Sequence, residues 1–311
     1  MRTPRPLWMA SPPPSALEDR RCNRSSDPNA VHVTLVSVGL GTLVYTKPLQ
    51  RYNKKSVRQL FNRTLLWGAK ELSRDPIFAQ QLRASIAHSR SNVSSRRPYC
   101  AAFKPLVLWR ALQQACEGDY VLWADSSAHF PKQALEWIEG SRRLHIHGLV
   151  QSLAARGIES VYGQVHCPFD CGGHEASIGP RGDERRYGVK RANPPPMVSP
   201  ITAGEYSELG YHWNARTAPH VMNTYILLRN RVVNRLLMWD WLQMAIAKPT
   251  AFCDSPPQDQ SAWTILVHNR SLPLVSMCAH RARVRENCYH DLKNINEFLA
   301  HLRNGTFSVQ Y

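Results

Sequence analysis

The chain is short of acidic residues. It has 23 Asp and Glu against 39 Lys and Arg, so its 311 residues carry a formal net charge of +16. Such a basic surface favours nucleic acid, anionic glycans, phosphate-bearing small molecules or a membrane surface as partners. Basic stretches such as residues 181–191 contain few aromatic residues, and no nucleic-acid-binding signature is present. We therefore do not expect nucleic-acid recognition.

Long hydrophobic runs are also missing. No stretch approaches the eighteen or so apolar residues of a transmembrane helix, so none is predicted. Residues 1–30 are rich in Pro, Ser and Arg but lack an apolar h-region, and we expect a disordered leader rather than a signal peptide. Asn-x-Ser/Thr sequons nevertheless favour the secretory-pathway lumen (Golgi) over the cytoplasm. They lie at Asn23, Asn62, Asn92, Asn269 and Asn304.

What the sequence does contain is the pattern of a folded α/β domain. Hydrophobic residues make up 43% of the chain, and nine are tryptophans. An apolar run from Val31 predicts a first buried strand, and the spacing of apolar residues predicts helices over residues 56–72 and 76–87. A helix beginning near Pro105 and ending at Gly118 precedes a short apolar strand, Tyr120–Ala124. Alternating strands and helices over residues 31–275 predict a single domain with a mostly parallel sheet flanked by helices.

Two aspartates stand at positions where chemistry is possible. Asp125 directly follows the apolar strand, and ligands of open α/β sheets bind outside the carboxyl ends of strands. A carboxylate there can hold a divalent cation that binds a diphosphate, or it can simply cap a turn. Asp259, in PPQDQSAW, precedes a helix. It is expected either as a helix N-cap or as a carboxylate that serves as base or holds sugar hydroxyls.

The order of these motifs resembles a family of nucleotide-sugar glycosyltransferases with the GT-A fold. The first blocks are Phe103-Lys104-Pro105, Gly118-Asp119 and the strand that ends in Asp125-Ser126. Similar blocks follow in ITAGEYSELGYHWNARTAPHVMNTYILLRN and DQSAWTILVHNRSLPLV. Matching blocks therefore run in the same order from about Val31 to Val275.

The resemblance implies a GT-A-like (Rossmann-like) fold and a defined activity. Residues 31–130 would bind the nucleotide, residues 131–275 would contact the acceptor, and residues 276–311 would form a tail packed on the domain. The enzyme would move a sugar from a nucleotide-diphosphate donor to a hydroxyl of a glycan, glycoprotein or other acceptor, with Mn²⁺ or Mg²⁺ as cofactor. By residue-to-residue carry-over the catalytic residues are Asp259 and Gln260, the donor-binding residues are Lys104, Asp125, Ser126, Ser127 and Asn223, and the metal ligands are Asp125, His268 and His280.

One departure from the family pattern bears on the metal. Many members carry Asp-x-Asp, whereas Ser127 stands here in place of the second carboxylate. Either another ligand such as His268 or His280 completes the metal site, or the enzyme is independent of metal. The alternative function is a non-catalytic, basic carbohydrate- or polyanion-binding protein on the same scaffold.

The cysteines allow further interpretations. HCPFDCGGH holds four residues of zinc-binding type, but their spacing matches no known finger, and a disulfide or free-thiol loop is favoured. Cys278 and Cys288 are close enough in sequence to pair. Connectivity among the eight cysteines does not follow from the sequence.

Overall fold

A computed structural model describes residues 11–13, 31–40, 46, 49–50, 52, 58, 60–87, 98–126, 146–165, 200–212, 221–254, 258–272 and 275–276. The strands are β1 (Val33–Val38), β2 (Arg63–Trp67), β3 (Tyr120–Ala124), β4 (Ser160–Val161), β5 (Gln164–Val165), β6 (Val221–Met222), β7 (Tyr225–Arg229) and β8 (Val275–Ser276). The α-helices are α1 (Ala69–Ser73), α2 (Arg83–Ala87), α3 (Phe103–Gln114), α4 (Ile146–Ala155), α5 (Pro200–Ser207), α6 (Val232–Ala247), α7 (Pro249–Asp254) and α8 (Gln258–Asn269). A π-helical turn, Phe78–Leu82, leads into α2, and a 3₁₀ turn, Pro98–Ala101, precedes α3. None of these described helices is long and apolar enough to cross a bilayer.

The main sheet has five strands in the order β2-β1-β3-β7-β4. Strand β1 pairs in parallel with both β2 and β3. Strand β7 is antiparallel to its neighbours β3 and β4, so four strands point one way and one points back. The prediction of a single α/β domain with a mostly parallel sheet is confirmed. A second sheet, in the order β6-β5-β8, contains three short strands.

The central strand β3 is almost wholly apolar because the sheet is covered on both faces there. In β3, Val121 and Trp123 pack into the cluster formed with helices α3, α6 and α8. The alternate residues Tyr120, Leu122 and Ala124 pack into a second cluster that includes residues of α4. All five residues of β3 are buried.

The segment that feeds β3 forms a helix as predicted, but α3 ends at Gln114, four residues before Gly118. Pro105 lies in the first turn of α3, where a missing N–H costs nothing. After the helix, Gly118 adopts φ +86°, a left-handed conformation that glycine reaches without strain. Asp119 then accepts hydrogen bonds from the backbone N–H groups of Cys116 (3.2 Å) and His32 (3.0 Å). The Gly-Asp pair therefore fixes the entry into β3 and has a structural role.

The helix predicted over residues 56–72 is wrong over most of its described part. Arg58 is helical and Ala69–Ser73 forms α1, but residues Arg63–Trp67 form β2, an edge strand. Leu65 and Trp67 are half-buried and pack against the core, while Leu65 pairs with Val36 of β1. Parallel pairing with a fully buried strand overrides the weak helical spacing of this segment.

Aromatic residues and a disulfide tie the helices together. Trp241 of α6 and Trp263 of α8 are buried, and their ring centroids are 4.5 Å apart. Cys100 and Cys253 form a disulfide that links the turn before α3 to α7. Cys116 is also disulfide-bonded. The 166–174 loop, Cys278, Cys288 and the 277–311 tail lie outside the described residues.

Candidate functional site

The strand order of the main sheet reverses its direction at β1. From β1 the chain passes to β2 on one side and later to β3 on the other. The gap between the carboxyl ends of β1 and β3 is therefore a topological switch point, where open α/β sheets bind their ligands. Asp125 is the first residue after β3 and lies at this edge.

Lys104 reaches the same edge from helix α3. The helix runs back to the amino end of β3, so its first turn lies near the carboxyl ends of the strands. The Lys104 ammonium is 3.0 Å from Asp125 Oδ1 and 2.7 Å from Asp259 Oδ2. It also donates a hydrogen bond to Asn223 Oδ1 at 3.0 Å. Four residues from four separate segments of the chain thus meet at one nitrogen.

Asn223 and Asp259 are brought in by β7 and α8. The antiparallel register pairs Ala124 with Tyr225, and the Asp125 N–H donates to the Thr224 carbonyl at 2.9 Å. This pairing places the residues before β7 beside the end of β3. Asn223 Nδ2 then donates to Asp259 Oδ2 at 2.8 Å. We call Lys104, Asp125, Asn223 and Asp259 the carboxyl-edge cluster.

The carboxyl-edge cluster is buried at its centre and open on one side. Asn223, Asp259 and Lys104 are 0%, 3% and 6% exposed as residues, whereas the Asp125 side chain is 25% exposed. One ammonium and two carboxylates leave a formal charge of −1. Burial by itself lowers the pKa of Lys104, but the charges of Asp125 and Asp259 and their hydrogen bonds outweigh it, so the pKa is raised. Lys104 is therefore charged at neutral pH.

Two aromatic residues, Trp123 and Tyr52, also contact Asp125. The Trp123 indole N–H donates to Asp125 Oδ1 at 3.1 Å, and the Lys104 nitrogen lies 5.6 Å from the centroid of the Trp123 ring. The Tyr52 hydroxyl donates to the Asp125 carbonyl at 2.7 Å. Sequence reasoning missed both contacts. Trp123 stands two residues before Asp125, a spacing that puts both side chains on one face of a strand, but Tyr52 carries no comparable local signal.

The other residues predicted for the site have different positions. Ser126 is buried and Gln260 is half-buried, each next to a member of the carboxyl-edge cluster. His268 lies in the last turn of α8, nine residues after Asp259, which corresponds to roughly 13 Å along the helix axis. The structure therefore does not bring His268 to Asp125. Ser127 and His280 lie outside the described residues.

The buried carboxylate of Asp259 is suited to holding Lys104 rather than meeting a substrate. Its Oδ2 atom contacts both Lys104 and Asn223. Asp259 is the second residue of α8, inside the first turn, so the structure does not show the predicted N-cap position. Of the four cluster members, Asp125 has the largest exposed fraction.

The cluster does not fit a divalent metal in the arrangement seen. The two carboxylates that would share a cation already share the Lys104 ammonium. Within the ranges that the structure describes, no group of three or more His, Cys, Asp or Glu is placed to hold a metal ion. The position between the two carboxylates, where a metal ion would bind, is occupied by the Lys104 ammonium.

Comparison with known proteins adds no relative. No family model, curated protein or solved structure matches the chain. The resemblance to nucleotide-sugar glycosyltransferases therefore remains a prediction that rests on the sequence motifs.

Proposed function

We propose that this chain is a glycosyltransferase that moves a sugar from a nucleotide-diphosphate donor to a hydroxyl acceptor. The observation that carries the proposal is the convergence of Lys104, Asp125, Asn223 and Asp259 at the carboxyl edge of the sheet. A lysine buried between two carboxylates is rarely the most stable solution for a core, because desolvation of the charges is costly. Its position at a topological switch point favours a functional reason.

Asp125 is the residue that we assign to substrate. Its carboxylate is one-quarter exposed, and Lys104 and Trp123 hold one of its oxygens. The cluster keeps a net negative charge, so a diphosphate placed directly against it would be repelled. We therefore place hydroxyl groups, of the donor sugar or of the acceptor, against Asp125. Asp259 and Asn223 act through Lys104 as positioning residues.

The charge of the whole chain supports an anionic donor. A formal net charge of +16 creates a field that draws nucleotide diphosphates towards the protein. In the reaction, the acceptor oxygen would form a bond to the anomeric carbon as the bond from that carbon to the diphosphate oxygen breaks. The nucleoside diphosphate leaves with the electron pair, and the acceptor proton passes to a base, for which Asp125 is the candidate in the cluster.

A secretory-lumen setting is part of the proposal. The Cys100–Cys253 disulfide and the disulfide-bonded state of Cys116 suit an oxidising compartment. Among the sequons, Asn62 is exposed. Asn269 is less suited to carry a glycan, because its side-chain nitrogen donates hydrogen bonds to the carbonyls of Ile265 and His212.

Ligand-dependent unfolding tests the proposal. We expect UDP or GDP to raise the unfolding midpoint in a concentration-dependent way. Each nucleotide sugar would be screened for release of nucleoside diphosphate, with Asp125→Asn expected to lose that activity. Glu208→Gln, an exposed carboxylate outside the cluster, is the matched control and keeps it.

The rival function predicts a different pattern. Asp125 is the sole solvent-reaching carboxylate of the cluster, an arrangement that also suits a protein that binds carbohydrate without transforming it. In that case a heparin-like polymer or a neutral glycan raises the unfolding midpoint, while nucleotides do not. No nucleoside diphosphate is released from any donor. That result would refute the transferase proposal.

A further inference from the structure

The geometry around Lys104 uses every donor that its ammonium has. A lysine ammonium carries three N–H groups and no acceptor. Three oxygens lie within hydrogen-bonding distance: Asp259 Oδ2 at 2.7 Å, Asp125 Oδ1 at 3.0 Å and Asn223 Oδ1 at 3.0 Å. The donors and acceptors therefore balance. Lys104 has no need of a further partner, and it has no donor left for a phosphate.

The same three oxygens are the kind that a divalent cation takes. Mg²⁺ and Mn²⁺ prefer carboxylate and carbonyl oxygens, and two aspartates with an asparagine are a typical protein contribution to such a site. An ion held by these oxygens would occupy the space of the Lys104 nitrogen. A divalent ion beside the ammonium would meet strong repulsion in this buried setting.

Lys104 is held in place on several sides. It is 6% exposed, its backbone lies in the first turn of α3, and its nitrogen faces the Trp123 ring at 5.6 Å. The Cys100–Cys253 disulfide joins the segments that end four residues before Lys104 and six residues before Asp259. The crosslink thus limits the separation of α3 and α8 that would be needed for the lysine to leave.

We propose that Lys104 is the resident cation of this site and stands in the place that a divalent metal occupies in metal-dependent enzymes. The native chain then neither needs nor binds Mg²⁺ or Mn²⁺ at Asp125. The part of this inference that concerns catalysis rests on the proposed function; the part that concerns metal binding does not.

Removal of the ammonium should convert the cluster into a metal site. In Lys104→Ala, two carboxylates and an amide oxygen surround a space with no cation. Electron paramagnetic resonance of MnCl₂ measures the free ion, whose signal falls on binding. We expect the wild type to leave the signal unchanged and Lys104→Ala to bind one ion per chain. Lys104→Ala/Asp125→Asn should lose that binding, and the exposed-lysine variant Lys70→Ala should behave as the wild type.

Two further measurements test the inference if Lys104→Ala does not fold stably. If the variant is unstable, MnCl₂ should raise its unfolding midpoint as the concentration rises, and should not do so for the double variant. The titration of the wild type with MnCl₂ can also test the inference without any result from Lys104→Ala. Stoichiometric Mn²⁺ binding by the wild type that disappears in Asp125→Asn would overturn the inference, whatever the variants do.

Activity assays separate this inference from the proposed function. Nucleotide-sugar turnover that is equal in EDTA and in MnCl₂ supports both. Turnover that requires Mn²⁺ overturns the resident-cation role and leaves the transferase proposal standing. No turnover under either condition, with no Mn²⁺ bound by the wild type, counts against the transferase and leaves the assignment of Lys104 intact.

Discussion

The two ends of strand β3 each carry a buried group of charges, and the two groups are built differently. At the carboxyl end, one lysine serves two aspartates and an asparagine. At the amino end, Arg235 donates to Glu117 Oε2 at 3.1 Å and to Asn230 Oδ1 at 2.9 Å. Arg231 also pairs with Glu117, and Arg229 pairs with Glu159. We call these five charged residues and Asn230 the amino-edge network.

The amino-edge network has the features of a structural clamp. Three arginines and two glutamates leave it with a formal charge of +1. Asn230 Nδ2 donates to the carbonyls of Ala115 and Cys116, so the network binds the start of α6 to the loop between α3 and β3. The outer ion pairs are partly exposed, and only Arg235 is almost fully buried, at 1%.

The comparison shows that buried charge alone does not mark a functional site. Both ends bury a cation, but the amino-edge network lies at the end of the sheet away from the switch point. The carboxyl-edge cluster lies at the switch point, and its negative charge faces solvent through Asp125. We infer that the amino edge holds the fold together, whereas the carboxyl edge presents chemistry to a ligand. Substitutions at the two edges can test that division.

The largest effect is expected from removal of the buried cation at the carboxyl edge. Lys104→Met leaves the buried carboxylate of Asp259 without its cation, at a cost of about 3–5 kcal/mol in the free energy of unfolding. Arg235→Met leaves the buried Asn230 oxygen without its donor, but Glu117 keeps Arg231, so we expect about 1–3 kcal/mol. Chemical denaturation measures both losses. Lys104→Met should also abolish nucleotide-sugar turnover, because Lys104 holds the carboxylate of Asp125, while Arg235→Met retains turnover at temperatures where it is folded. If Arg235→Met loses turnover while folded, the division between the two edges fails.

The next largest effect concerns the disulfide near the carboxyl edge. Replacement of both Cys100 and Cys253 by serine removes a crosslink between residues 153 positions apart. We expect a loss of about 2–4 kcal/mol in the free energy of unfolding, typical for a native disulfide. Because the crosslink precedes α3 and α8, the ligand response should weaken as well. A double variant with unchanged stability would show that the disulfide does not constrain this edge.

The elements that form the carboxyl edge could be predicted from the sequence, because their local patterns are strong. Strand β3 has its predicted bounds, because a fully apolar run marks it clearly. Helix α3 begins two residues before Pro105, but it ends at Gln114, four residues before Gly118. The four members of the carboxyl-edge cluster were named from their place in ordered motifs. In the structure they meet at the Lys104 nitrogen.

Other features could not be predicted because they depend on tertiary contacts. Edge strand β2 has helical spacing in its sequence, and only its pairing with β1 reveals it. The Cys100–Cys253 bond joins distant segments with no local signal. The amino-edge network escaped notice for a related reason. Its arginines and glutamates resemble any solvated charges until the antiparallel β7 places them beside the α3–β3 loop.

A smaller effect comes from two carboxylates with similar exposure at opposite edges. The side chains of Asp125 and Glu117 are 25% and 21% exposed, and each pairs with a buried cation. Asp125→Asn and Glu117→Gln keep the shape but remove the charge, and we expect each to cost about 1–3 kcal/mol in the free energy of unfolding, as for hydrogen bonds to charged groups. Asp125→Asn alone should eliminate nucleotide-sugar turnover. Turnover lost in Glu117→Gln would remove the contrast.

The smallest effect at neutral pH, and the sharpest contrast at alkaline pH, is expected for Tyr120→Phe. Tyr120 begins β3 at the amino edge, and its buried hydroxyl has no hydrogen-bond partner in the part of the chain that the structure describes. Its removal should change the free energy of unfolding by less than about 1 kcal/mol at pH 7. Burial raises the pKa of Tyr120; the charge of Glu159 also raises it, whereas the charges of Arg229 and Arg231 lower it by less. A tyrosine in the unfolded chain has the ordinary pKa of 10.0, so above that pH unfolding releases a proton and stability falls.

Lys104 at the other edge responds to alkali in the same direction but from a different cause. Its raised pKa means that its stabilising charge is fully present below the ordinary value of 10.5 and is lost as the pH rises through the folded value. Tyr120→Phe should therefore lose less stability than the wild type as the pH rises, but it should still lose some. Lys104→Met, if it is folded, should also lose less stability than the wild type over the same pH range. Denaturation curves between about pH 8 and pH 11 for the three proteins measure how much each residue contributes to the loss of stability. If the free energy of unfolding falls with pH as steeply in Tyr120→Phe as in the wild type, Tyr120 at the amino edge contributes nothing to that loss.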